Sequence, residues 1–352
     1  SAAVFAAVLF VVFDVSAWLD SLTSARLAEW IAPWQPESVE GVIGRAVADG
    51  LIGLVGIVVP YMIPLVLLLV ALEQAGIMAR IAFAVDRGFH RLGLHGDVAV
   101  PFLMGLGCNV PAISAIAARS RGSERVVGSL LVMFVPCSAR SAIILALAGK
   151  YLGVAGVLAL FLIAMLVIAV LGQLLRLRYP TSGPGQVQEI PPYALPRWRS
   201  LLRETWLRTQ DILTIVMPLL VGGSIVLALL TYIGADSVLN TLLAPMTHWW
   251  LGLPVVLGVP LLFGILRKEL SLLMVFQALG TFEIDRYLGA VQIITFLLFI
   301  TFYLPCISTF AVMLKTIGRR EAIFAASLSI AVALLVSGVA RIALGAIEWL
   351  AA

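Results

Sequence analysis

The sequence predicts an all-α, polytopic helical membrane protein of two inverted repeats, each with a broken or re-entrant helix. Three observations lead there. Apolar residues make up 62% of the 352 and charged residues only 12%, whereas a soluble domain carries about 25% charged residues. The apolar residues gather in runs of roughly 20 or more, long enough for a helix to cross a bilayer. They lack the alternation of a β-barrel strand. The dipeptide Pro136-Cys137 also returns as Pro305-Cys306, 169 residues later.

The apolar runs fall at residues 1–19, 50–72, 98–118, 126–149, 150–176, 209–233, 251–279, 288–314 and 322–347. Residues 20–49, with Trp30, Pro33, Trp34 and Pro36, read as an interfacial loop. Residues 73–97 scatter Arg80, Asp86, Arg87 and Arg91 among apolar positions, the pattern of an amphipathic helix on the membrane surface. Pro180, Pro184, Pro191, Pro192 and Pro196 mark a linker. The division that follows is 1–49 (first membrane segment and interfacial loop), 50–178 (first repeat), 179–208 (cytoplasmic linker) and 209–352 (second repeat). Interrupted helices at matching places in two repeats are the sequence pointer to a transporter's binding site.

Basic residues orient the chain. If 98–118 and 251–279 each enter and leave on the same side, then 73–97, 119–125, 176–208 and 315–320 share one face and hold 15 of the 23 Lys and Arg. The opposite face keeps Arg26, Arg45, Lys150 and Arg286. Basic loops collect in the cytoplasm, so this arrangement favours inverted repeats with re-entrant hairpins. The net charge of +4 then reports topology, and no nucleic-acid partner is expected. Three cysteines in apolar segments do not suggest a disulfide framework. No signal peptide is evident, and the initial Ser1 fits a fragment or a processed product.

The chemistry concentrates where helices should break. Gly105-Leu106-Gly107-Cys108-Asn109-Val110-Pro111 unwinds a helix and offers carbonyl oxygens beside the Cys108 sulfur and the Asn109 amide. Sulfur with oxygen suits a borderline divalent cation better than Na⁺ or Mg²⁺. The alternative is close helix packing with Cys108 as a small buried hydrophobe. In Pro136-Cys137-Ser138-Ala139-Arg140 the proline frees a carbonyl, and Cys137 and Ser138 can complete a coordination sphere. Arg140, charged within an apolar run, must meet a carboxylate (Glu73, Asp86 or Glu269) or a helix C-terminus. Arg267-Lys268-Glu269 stand in the middle of another apolar run. They line a cavity or pair internally, and Glu269 is a candidate cation ligand or proton carrier. Cys306 repeats the setting of Cys137, near Thr301, Ser308 and Thr309.

His90, His95 and His248 form no zinc-binding spacing, and Trp249-Trp250 suit an interfacial aromatic belt. The phosphate-binding loop Gly-x4-Gly-Lys-Ser/Thr does not occur, so no nucleotide hydrolysis and no enzyme activity are expected of these residues.

Leu72-Glu73-Gln74-Ala75-Gly76-Ile77-Met78-Ala79-Arg80, Asp86-Arg87, Gly93-Leu94-His95-Gly96, the stretch 105–113, Pro136 to Arg140, Arg267-Lys268-Glu269 and Pro305-Cys306 are together very similar to the membrane domain of the ferrous iron transport protein B family. The resemblance implies a multi-pass importer of the bacterial inner membrane made of two gate repeats. Fe²⁺ would be the transported substrate, with no permanently bound cofactor. It suggests that Cys108, Cys137 and Cys306 lie along the ion's route. Together with the motif chemistry above, the candidate ion ligands are Cys108, Asn109, Cys137, Ser138, Cys306 and Glu269, and Glu73, Arg140, Arg267 and Lys268 are candidates for gating or charge pairing. Family members usually carry a cytosolic GTP-binding domain ahead of the membrane segments. No such motif occurs in this sequence, so the domain was removed, is a separate polypeptide, or is absent from a GTPase-free homologue. The partners considered are a separate GTPase or a small cytosolic regulatory protein, alongside assembly into a homo-oligomer. Mn²⁺, Zn²⁺ or Co²⁺ would meet the same ligand types. The rival readings are a nucleoside-type organic-solute transporter and a non-transporting membrane partner protein.

Overall fold

The computed structural model describes residues 38–58, 63–77, 80, 99–179, 193–234, 236–264, 275, 287–303 and 305–351. Arg267, Lys268 and Glu269, the first membrane segment and most of the expected surface helix lie outside the described residues. Among the described residues all regular structure is helical. Four spans are long and apolar enough to cross a bilayer: Gly122–Tyr151, Gly153–Arg178, Ala290–Thr316 and Arg319–Ala346. A fifth is possible from a helix pair bent by 116°. The chain is thus an all-α, multi-pass membrane protein.

It forms two compact bodies. The first takes the described residues up to Pro111 together with 193–234; the second takes 112–179 and 236–351. Each body draws on both halves of the chain.

In the first body, α1 (Val39–Ile57) and α2 (Ile63–Gln74) pack on α8 (Trp198–Tyr232). Gly50 lets α1 approach α8 closely, since a Cβ there would lie 3.1 Å from the Val221 Cα. Small residues serve membrane helices in this way, by bringing backbones together. Val66 and Val70 of α2 bury against Leu201 of α8. The 35-residue α8 starts at Trp198, inside the stretch expected to be linker. Its buried Leu201, Thr205 and Thr209 recur every four residues, while Trp198, Leu202 and Trp206 lie exposed. That period makes an amphipathic helix out of a segment that looked merely basic and polar. The Thr205 and Thr209 hydroxyls donate back to the Leu201 and Thr205 carbonyls at 2.8 Å, so neither is left unpaired. The short α3 (Ala99–Gly105) and α4 (Asn109–Arg119) follow one another across Leu106-Gly107-Cys108, so the run at 98–118 is broken.

The second body contains the same succession twice. First come α5 (Gly122–Phe134), a break at Pro136-Cys137, α6 (Ser138–Tyr151), Gly153 and α7 (Gly153–Arg178). Then come α11 (Ala290–Phe302), a break at Pro305-Cys306, α12 (Ile307–Thr316), Gly318 and α13 (Arg319–Ala351). Gly153 (φ 67°) and Gly318 (φ 88°) make the two turns with left-handed backbone that a side chain would strain. α6 packs on α7 and α11, and α13 packs on α11, α12 and α5. α7 is apolar on both sides. Leu160, Ala164, Ile168, Leu171 and Leu175 are buried, while Val154, Leu158, Leu162, Leu166 and Leu177 are exposed. An apolar face turned outward is stable only against lipid.

The bent pair lies in residues 236–263, between the apolar run at 209–233 and the middle of the run at 251–279. Those residues form α9 (Asp236–Ala244) and a π-helical turn, Pro245–Trp250, before the chain reverses into Val255–Leu257 and α10 (Gly258–Phe263). The bend is strapped down. Arg341 Nη1 donates to the Trp249 and Trp250 carbonyls at 2.7 Å each, and Trp250 Nε1 donates to the Leu334 carbonyl at 2.9 Å. Gln292 Nε2 donates to the Gly252 carbonyl at 2.7 Å. These bonds satisfy carbonyls that a helix end inside a membrane cannot leave bare.

Beyond the spans, the Tyr179 hydroxyl donates to Glu321 Oε2 at 2.5 Å, tying the end of α7 to the first turn of α13. Burial, and then the bond to Glu321, push the phenol above its ordinary range. The folded state therefore holds this proton more tightly than the unfolded chain does. The resulting stability is complete below about pH 10 and is lost as pH rises through the folded value. Thermal unfolding in detergent should fall off above about pH 10 in the native chain and less steeply in Tyr179→Phe; parallel curves would contradict this. Gly50→Leu should destabilise the first body by about 1–3 kcal/mol through overpacking against Val221, read as a lower Tm.

Candidate functional site

Both Pro-Cys breaks follow one local plan. α5 ends at Phe134, and Val135 is extended (φ −64°, ψ 126°), as the residue before a proline must be. Cys137 is extended in turn (φ −69°, ψ 171°), and α6 starts at Ser138. α11 ends at Phe302, Tyr303 is extended (φ −60°, ψ 159°), and Cys306 (φ −55°, ψ 152°) precedes Ile307 of α12. Cys108 stands in the same relation to α4, just ahead of Asn109. Each of the three cysteines is therefore the last residue before a helix begins. The first N–H groups of a helix lack internal partners and favour negative charge, and neither the Cys137 nor the Cys306 side chain caps them with a hydrogen bond.

None of the three cysteines is in a disulfide, and all three are partly exposed. Cys306 Sγ lies 3.0 Å from Thr309 Oγ1. Ser138 is partly buried at the first position of α6, and Ser141 Oγ donates to the Pro136 carbonyl at 3.3 Å. Asn109 is buried at the first position of α4. Cys108 and Asn109 belong to the first body, Cys137, Ser138 and Cys306 to the second.

The centre of the second body is Arg140, whose side chain is 1% exposed. Nη1 donates to the Met133 carbonyl at 2.8 Å and to the Val135 carbonyl at 3.5 Å. Nη2 donates to the Tyr303 carbonyl at 3.2 Å. One guanidinium thus binds the C-terminal ends of both α5 and α11, where carbonyls run out of intrahelical donors. Of the two expected kinds of partner, the helix C-terminus is the one observed, because those ends carry partial negative charge and need donors. The two Pro-Cys breaks thus converge on this guanidinium.

Glu73 does not meet Arg140. It accepts from Arg208 Nη2 at 2.9 Å within the first body, beside a cavity of 410 Å³ lined by Glu73, Gln74, Glu204, Leu207 and Arg208. The pair is partly solvated, so it contributes no more than about 1 kcal/mol. Glu269, Lys268 and Arg267 lie outside the described residues. Among the described residues no three of His, Cys, Asp and Glu stand together as a metal cage.

Reading the sequence missed Arg208 and Arg341 as partners of Glu73 and of the bent pair. Arg341 did carry a signal, being a lone charge within the apolar run 322–347.

A family model described as "Gate: Nucleoside recognition" matches residues 55–151 and 213–320, more than half of the chain, and contains all three cysteines. A second, "Ferrous iron transport protein B C terminus", matches residues 157–208. An Fe(2+) transporter FeoB of Methanocaldococcus jannaschii is 31% identical over 332 residues, covering 84% of this chain and 49% of the relative. The protein of that name from Staphylococcus aureus is 27% identical over 357 residues, covering 89% and 52%. A fusion of Fe(2+) transport protein A with Fe(2+) transporter FeoB, from Porphyromonas gingivalis, is 34% identical over 200 residues, covering 55% and 24%. The chain thus spans about half the length of the first two relatives. No solved structure matches it significantly. The twice-used Pro-Cys break, the matched gate segments and these relatives together show that the chain belongs to the ferrous iron transport protein B family, as part of its gate-containing membrane region.

Proposed function

We propose that this chain is the ion-conducting portion of an Fe²⁺ importer in the bacterial inner membrane, and that it passes the ion along thiols set at broken helices. The observation that carries the reading is the convergence of the two Pro-Cys breaks, each with its cysteine at a helix start, on one buried arginine. Sulfur favours Fe²⁺ over the harder Na⁺ and Mg²⁺. An incomplete ligand set shared with water binds weakly enough to let the ion go, which conduction requires. Cys108 and Asn109, at the third break, and Glu269 and Ser138 are the further proposed ligands. Arg267 and Lys268 are proposed for charge pairing with Glu269. The same ligands admit Mn²⁺, Zn²⁺ or Co²⁺ as competitors.

The aromatic rings at the breaks do not support an organic solute. Phe134, Phe299 and Phe302 are fully buried and so not offered to a base; Phe134 packs on Phe302 at 6.4 Å between centroids. A regulatory partner resembling Fe(2+) transport protein A fits the fusion in one relative. A separate GTPase and a homo-oligomer rest on the family resemblance.

Anaerobic uptake of labelled Fe²⁺ into proteoliposomes holding the full chain, with and without GTP, tests the reading. Cys137→Ser and Cys306→Ser should each lower the initial rate on the order of tenfold, with melting unchanged and with no competition from nucleosides. Unaltered uptake in both variants would remove the two sulfurs from the path.

A further inference from the structure

Arg140 and Thr309 occupy matching places in the two repeats, 169 residues apart like the Pro-Cys pairs before them. They act differently. Thr309 is buried and stays within its own break, with its hydroxyl 3.0 Å from Cys306 Sγ. Arg140 reaches across, from the first turn of α6 to the Met133 and Val135 carbonyls of its own repeat and the Tyr303 carbonyl of the other. A single side chain of a twofold-repeated architecture therefore serves both breaks.

We infer that Arg140 is the positioning residue of the ion site: its guanidinium fixes the spacing of the two Pro-Cys breaks, and with it the spacing of Cys137 and Cys306. The bridge rests on geometry alone, and its bearing on an ion rests on the proposed function. A guanidinium is a rigid planar fork with five donors, able to hold several carbonyls at fixed separations. A lysine is a point charge on a flexible stem and cannot reproduce that fork. The partners are also telling. Among the described residues, carbonyls at two helix ends stabilise the charge.

Two readouts test this on the purified full chain in detergent. The first is anaerobic Co²⁺ titration, following the sulfur-to-cobalt charge-transfer band. The native chain should show the band. Arg140→Met and Arg140→Lys should weaken Co²⁺ binding about tenfold or more, and Arg140→Thr combined with Thr309→Arg should restore it to within about threefold, because the fork returns from the matching position of the other repeat. A purely structural loss would lower Tm without rescue by the relocated arginine. The second readout is Cys137–Cys306 cross-linking, in a Cys108→Ala background, by bis-maleimides of graded spacer length. The unsubstituted Arg140 should prefer one spacer, and Arg140→Lys should spread the yield over several. If Arg140→Met does not fold, the lysine variant and the exchange carry the test. A folded Arg140 variant with native Co²⁺ affinity and native spacer preference overturns the inference. A native chain with no charge-transfer band overturns the proposed ion path instead, while the cross-linking still decides the positioning role.

Discussion

A carbonyl released inside a bilayer has no water to bind, and much of this structure follows from that constraint. Prolines at 136 and 305 end α5 and α11 in the middle of spans long enough to cross the membrane. Each end leaves acceptors bare. Arg140 supplies donors to both, and Ser329 Oγ adds one to the Phe302 carbonyl at 2.9 Å. The bent pair shows the same economy elsewhere, with Arg341, Trp250 and Gln292 meeting its strap points. Broken helices persist here because specific side chains close the hydrogen-bond accounts that the breaks open.

The breaks also sort charge. A broken helix presents a negative end and a positive start within a few residues of each other. Arg140 occupies the negative ends, and Cys137 and Cys306 occupy the positive starts. The two repeats share this plan but are not equal, since Thr309 stands where Arg140 would recur and holds the Cys306 sulfur. That asymmetry gives the two sulfurs different surroundings.

Much of the fold was legible in the sequence because membrane helices announce themselves by length and hydropathy. The prolines, the repeated Pro-Cys and the glycine-rich Gly105 to Pro111 marked the breaks correctly as local events. Less legible were features that depend on tertiary partners. The helix from Trp198 was hidden by five prolines just upstream and by its basic residues, although Leu201, Thr205 and Thr209 carry its period. The π-helical turn at Pro245–Trp250 has no strong local signal, since it depends on the donor Arg341 nearly a hundred residues later. For Arg140 the sequence required a partner but could not choose among carboxylates and helix ends, because that choice is made by the packing of α6 on α11. Glu73 found Arg208 through the packing of α2 on α8, which no short-range pattern encodes.

The account turns on sulfur meeting the ion where a helix is broken. Iron K-edge X-ray absorption of the Fe²⁺-loaded chain, kept anaerobic, addresses that contact directly. Sulfur scatterers at about 2.3 Å, diminished in Cys306→Ala, are the predicted result. A first shell of oxygen and nitrogen alone, unchanged by that substitution, would contradict it.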